Sequence, residues 1–170
     1  MGAVGPDRIR AWAWTASAGY TFSTFRLRPR LFAEYDFASG DRNPTDGRRG
    51  TFDQLFPNIH GHNGLADQIA WKNLKEVRAG VRISLRRNWT VAATFNDWGL
   101  ASATDAFYNS AGGVVARDPK GLSGTHIGEE YDLETSYRIN HELELGAGIG
   151  RIFPGAFLAH TNRNHAYTYP

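Results

Sequence analysis

The chain has 170 residues, no Cys and a formal net charge of +2. That length suits one domain, the lack of Cys excludes a disulfide framework, a thiol nucleophile and a Cys-based zinc site, and so balanced a charge makes no case for nucleic-acid binding. No run approaches the ~18 consecutive apolar residues of a membrane helix, yet a membrane strand needs only ~9–11 residues with alternating faces, so a barrel stays open.

Residues 1–7 lack the features of a signal peptide, which points to a piece of a longer protein. Residues 10–22 then alternate, with Trp12, Trp14, Ala16, Ala18 and Tyr20 on one face and Ala13, Thr15, Ser17 and Gly19 on the other. After a short connection at Ser23-Thr24, residues 25–37 set Leu27, Leu31, Ala33, Tyr35 and Phe37 against Arg28, Arg30, Glu34 and Asp36. Pro29 is a defect there, because it removes one ladder hydrogen bond. A long connection, 38–73, is rich in Gly, Asn, Asp and Pro, and within it 65–72 is a candidate short helix.

Residues 77–85 put Val77, Ala79, Val81, Ile83 and Leu85 opposite a face of Glu76, Arg78, Gly80, Arg82, Ser84 and Arg86, and Arg87-Asn88 forms a tight turn into 89–95. A second long connection, 97–125, leads to the longest alternation. Over 127–139, Ile127, Glu129, Tyr131, Leu133, Thr135, Tyr137 and Ile139 face Gly128, Glu130, Asp132, Glu134, Ser136 and Arg138. Asn140-His141 turns into 143–149, where Leu143, Leu145, Ala147 and Ile149 alternate with Glu144, Gly146 and Gly148. Faces repeat every two residues in a strand and every 3.6 in a helix, so all six segments read as strands.

Three features favour a membrane barrel over a soluble sandwich or barrel. The alternating segments exceed the usual soluble strand of ~5–6 residues. Aromatics (Trp12, Tyr20, Phe22, Phe25, Tyr35, Phe37, Trp89, Tyr131, Tyr137) gather near strand ends, where interface girdles sit. Tight turns alternate with loops far longer than compact domains carry. The expected fold is all-β: part of an antiparallel up-and-down transmembrane β-barrel of about six strands, with the long loops on the extracellular side. Its apolar face points to lipid. Its wet lumen is lined by Arg28, Arg30, Glu34, Asp36, Arg78, Arg82, Glu130, Asp132, Glu134 and Glu144. The alternative is a soluble carbohydrate-binding sandwich or barrel with no pore.

Four groups of residues carry a family resemblance. They are the run Phe32-Ala33-Glu34-Tyr35-Asp36-Phe37-Ala38-Ser39-Gly40-Asp41, then Gly50-Thr51-Phe52-Asp53-Gln54-Leu55-Phe56-Pro57 with Trp71-Lys72-Asn73, and then Leu100-Ala101-Ser102-Ala103-Thr104-Asp105-Ala106-Phe107-Tyr108-Asn109. The last joins His126-Ile127-Gly128-Glu129-Glu130-Tyr131-Asp132-Leu133 to Phe153-Pro154-Gly155-Ala156-Phe157-Leu158. From about Leu31 onward the chain resembles the alginate-export family of bacterial outer-membrane proteins. The resemblance implies a large barrel, monomeric when complete, whose arginine-lined, anion-selective pore passes a uronate polysaccharide. It implies that most strands lie upstream and that the chain stops at Tyr167-Thr168-Tyr169-Pro170, on the threshold of a final strand. The partners implied are outer-membrane lipid and an anionic polysaccharide or small anion.

The charged face has a second reading as a ladder of wall salt bridges, with Arg78 and Arg82 beside Glu34 and Asp36. Glu130, Asp132, Glu134, Glu142 and Glu144 make the last two strands acidic, so a positive pore needs its excess Arg and Lys from elsewhere. His60 and His62 lack a third ligand at defined spacing. Asp41, Asn43 and Asp46-Gly47 lack the glycine position and closing Glu of a calcium loop. Asn88-Trp89-Thr90 is a chance sequon in a turn. Glu129 and Glu130 are adjacent on a strand, so they face opposite sides and cannot flank one glycosidic bond. No nucleophile motif surrounds Ser123 or Ser136. No cofactor, metal or catalytic residue is expected.

Overall fold

Each alternating segment becomes a strand of one sheet in the computed structural model, which describes residues 2–55, 63–161, 163 and 165–169. In chain order the strands are β1 (Ala3–Val4), β2 (Asp7–Ile9), β3 (Ala13–Thr21), β4 (Arg30–Ala38), β5 (Arg48–Arg49) and β6 (Leu74–Arg86). They continue as β7 (Trp89–Leu100), β8 (Ala106–Tyr108), β9 (Val114–Arg117), β10 (His126–Arg138), β11 (Glu144–Pro154) and β12 (Tyr167–Tyr169), with one helix, α1 (Ala156–His160). The main sheet runs β12-β11-β10-β7-β6-β4-β3, antiparallel throughout, so each strand pairs with its neighbours along the chain. Short strands ornament the loops: β1-β2-β5, in which β2 and β5 are parallel, and the β8-β9 ribbon. The main sheet does not close on itself among the described residues.

This is the expected up-and-down arrangement, with adjusted ends. β4 starts at Arg30 instead of residue 25, because residues 22–29 form a turn. Phe25 N–H donates to Phe22 O, Arg28 N–H to Phe25 O, and Phe22 N–H to Pro29 O. Pro29 has no N–H to give the ladder, and Arg28 takes φ +44°, outside strand geometry. β3 starts at Ala13 because the Ser39 side chain receives the Trp12 N–H at 2.9 Å. β7 and β11 run past their expected ends, to Leu100 and Pro154. Tyr167–Tyr169 lie beside β11, where a following strand was expected.

The helix expected over 65–72 is absent. The Ala66 N–H goes to the Glu130 carboxylate, Ala70 N–H to Tyr108 O and Trp71 N–H to the Gln54 side chain. Asp67 at φ +53° breaks the turn as well. Tertiary partners satisfy the backbone donors that a helix would use internally. The short helix sits instead after Gly155, with Phe157 fully buried.

The hydrophobic core lies at the loop end of the sheet, where the loops fold over it. Ala38, Leu74, Trp98 and Leu100 of the strands pack with Ile69, Phe107, Ala116, Ile127 and Phe157. Asn73, fully buried at φ +50°, knots the two long loops together. Its amide donates to Ser102 O and Ala106 O and its oxygen accepts the Ser102 N–H at 2.7 Å. Asp105, 1% exposed, does the same for residues 41 and 51, receiving the Asp41 N–H and the Thr51 hydroxyl.

Candidate passage along the charged face

Strand register sorts every side chain onto one of two faces. On the apolar face, Leu31, Val81, Ala93, Leu133 and Ile149 form one row across five strands. Leu31, Leu133 and Ile149 are about half exposed although they are large and aliphatic. Aromatics flank this row at both ends. Trp14 packs with Tyr35 and Phe37, and Tyr131 with Phe95 and Phe153, toward the loops. Tyr20, Phe22 and Phe25 pack edge to edge toward the turns, as do Trp89 and Tyr137. An aliphatic belt between two aromatic girdles is the pattern of a surface that sits in a bilayer.

The opposite face carries the charges. One row reads Ser17, Glu34, Arg78, Asn96, Glu130, and the row above it Thr15, Asp36, Glu76, Trp98. Toward the turns follow Gly19, Phe32, Gly80, Thr94, Asp132, Gly150 and then Thr21, Arg30, Arg82, Ala92, Glu134, Gly148. The loops bury the upper half: Asp36, Glu76, Thr94, Asn96, Glu130 and Asp132 are nearly inaccessible. Arg30 and Arg82 lie exposed in the lower half, and Glu144 is exposed near its foot.

Nine of the ten expected lining residues therefore share this face, and Arg28 leaves it for the turn. Cross-strand pairing divides them. Arg78 lies 3.6 Å from Glu34 and stacks on Phe32. Arg138 and Glu144 pair at 2.9 Å near the turn end. Glu130 and Asp132 share the Tyr169 hydroxyl, Glu130 also accepts the Ala66 N–H at 3.1 Å, and Asp132 accepts from Asn96 at 3.1 Å. Arg30 and Arg82 directly face each other, and among the described residues neither forms an ion pair. Below the loops a hollow of about 660 Å³ opens, lined by Arg82, Glu134, Ser136, Arg138, Glu144 and Leu65 among others.

Sequence parity placed most of this wall and missed part of it. Glu76 shares the parity of Arg78 and Arg82 but is not among the expected lining residues, and Asn96 lies one residue past the expected end of its strand. Tyr169 and Leu65 carry no sequence signal, since both reach the wall by tertiary contact. Glu129 and Glu130 do face opposite sides: Glu130 meets Ala66, while Glu129 accepts from the Tyr131 hydroxyl on the apolar face. The Asp41–Gly47 stretch spends its side-chain oxygens on local turns, with Asp41, Asn43 and Asp46 each accepting an N–H two residues on. The His60 and His62 pair lies outside the described residues.

Outside the main sheet, Tyr108 donates to Asp105 at 2.8 Å, and burial together with that carboxylate pushes its phenol well above the ordinary value. Its proton therefore stays in place as part of the loop-end core.

A family model described as alginate export matches residues 1–169. A search of curated proteins found no match.

Proposed function

The chain belongs to the alginate export family, an outer-membrane β-barrel transport family, and on that premise we propose that it forms one side of a water-filled outer-membrane channel. In this reading the main sheet is one stretch of the barrel wall. The long loops face the cell exterior and the tight turns the periplasm. Anionic polysaccharide or small anionic solutes move passively along the charged face, with no catalytic step.

The observation that carries the proposal is the split between the two faces. An exposed aliphatic belt between aromatic girdles needs lipid, and a face with this many charges needs water. A soluble sandwich would bury the apolar face against a second sheet, and among the described residues no second sheet covers Leu31, Leu133 and Ile149, all about half exposed.

Anion passage draws support from Arg30 and Arg82. Like charges directly opposite on neighbouring strands destabilise a sheet, and an anion held between them would relieve that repulsion. The acidic column on β10 weighs less than its sequence implies, because hydrogen bonds already occupy Glu130 and Asp132. The test is single-channel recording of the intact channel with Arg30→Gln and Arg82→Gln combined, against Arg78→Gln alone. Anion preference should fall in the double variant and change little in the single one, whose arginine serves Glu34. Unchanged reversal potentials in the double variant would remove these arginines from the passage.

A further inference from the structure

We propose that residues 63–72 form the constriction of this passage and that Leu65, carried at their tip, sets the size of solute that passes. The inference rests on the channel reading above.

Residues 63–72 do not project from the loop end. They fold down over the charged face and dock on it backbone first. Gly64, at φ +91°, lies so close to the wall that a Cβ there would come within 2.8 Å of both Glu130 and the Trp98 ring. Only glycine permits that backbone angle and that approach together. Two residues on, Ala66 N–H reaches the Glu130 carboxylate at 3.1 Å, and the Tyr169 hydroxyl donates to the same oxygen. Behind this clamp the segment is fixed again. Asn63 donates to Ile69 O at 3.2 Å, Ile69 is 2% exposed in the core, and Trp71 packs on Phe52.

Leu65 sits between these anchors, and the wall is shaped to receive it. The charged face of β11 is a column of Gly146, Gly148 and Gly150. A Cβ at Gly148 would meet the Leu65 side chain at 2.8 Å, and one at Gly150 would meet the Tyr169 hydroxyl and Asp132. Gly148 lies in the same register row as Arg30, Arg82 and Glu134. Leu65 therefore stands at the level of the facing arginines and roofs the hollow that Arg82, Glu134 and Glu144 line. A solute drawn to Arg30 and Arg82 must pass an apolar side chain held rigidly from above. The arginines select by charge, and Leu65 limits by size.

Two variants of the intact channel test this in planar bilayers. The chain contains no Cys, so Leu65→Cys gives this segment a single thiol for labelling with methanethiosulfonates of increasing bulk. Unit conductance should fall stepwise with label size, while the same labels on Leu133→Cys, on the apolar face, should leave it unchanged. Shortening the segment by removing residues 65–68 should raise conductance and shift the exclusion limit for neutral polymers to larger radii. A conducting wild type whose conductance ignores Leu65→Cys labelling and whose exclusion limit ignores the shortening would overturn the constriction and leave the channel standing. If the wild type carried no current at all, the channel reading itself would fail.

Discussion

Leu133 and Ser136 lie three residues apart on β10 and meet opposite environments. Leu133 pairs in register with Ala93 and Ile149 and is about half exposed on the apolar face, while Ser136 faces Thr90 and Gly146 on the charged face. An arginine at Leu133 would stand in hydrocarbon near mid-strand, where it costs ~2–4 kcal/mol. The same residue at Ser136 would join Arg138 and Glu144 around the open hollow. Leu133→Arg should therefore cut the folded fraction in lipid vesicles severalfold, and Ser136→Arg should leave it nearly intact. Equal tolerance, read as heat-modifiable mobility after refolding, would contradict the assignment of the faces. This difference was legible in the sequence because side-chain parity follows from strand geometry alone. The pairing of Glu34 with Arg78 needed register as well, and the Tyr169 hydroxyl on Glu130 needed the tertiary fold.

At the scale of elements, the strands were legible and the loops were not. Period-two alternation over 127–139 or 77–85 has one interpretation, and the turn at Arg87-Asn88 follows from where two alternations meet. The boundary errors have local causes: Pro29 and Arg28 shorten β4, and the Ser39 side chain stands in for a ladder bond at Trp12. Residues 65–72 have helical composition, yet their N–H groups found partners on β10, at Tyr108 and at Gln54, contacts more than ten residues away that no local pattern encodes. One loop turn makes its own pH prediction. The Asp118 carboxylate accepts the Ser123 hydroxyl and the Ser123 and Lys120 N–H groups, and these bonds hold its pKa below the ordinary value. A depressed carboxylate stabilises above its unfolded pKa, and that contribution is lost as pH falls through the lower folded value. The protection of the Lys120 and Ser123 amides, taken relative to their intrinsic exchange rates at each pH, should fall as the pH drops below the usual carboxylate range of ~4. Asp118→Asn should show fast exchange already at neutral pH. Slow exchange in that variant would mean that the turn does not depend on the carboxylate.

For the molecule as a whole, the open sheet makes the most demanding prediction. β3 pairs only with β4 among the described residues, and β12 covers just Gly150 to Ile152 of β11. The rest of the outer edge of β11 and all of the outer edge of β3 therefore present N–H and C=O groups to whatever surrounds them. In hydrocarbon each unpaired group costs several kcal/mol, which is why spanning sheets close into barrels. Closing these strands on one another is no remedy: seven fall short of the 8 of the smallest usual barrels, and the interior already holds residues 63–72. The exposed edges should pair with other copies instead. The 170-residue chain alone, refolded in detergent, should run as a mixture of oligomers by size-exclusion chromatography. The same strands joined to the rest of a family barrel should give a single heat-modifiable species. A monodisperse folded monomer of this chain in detergent-free buffer would contradict both the open edges and the lipid-facing belt. The half-exposed Leu31, Leu133 and Ile149 would then have to be covered by something other than a bilayer.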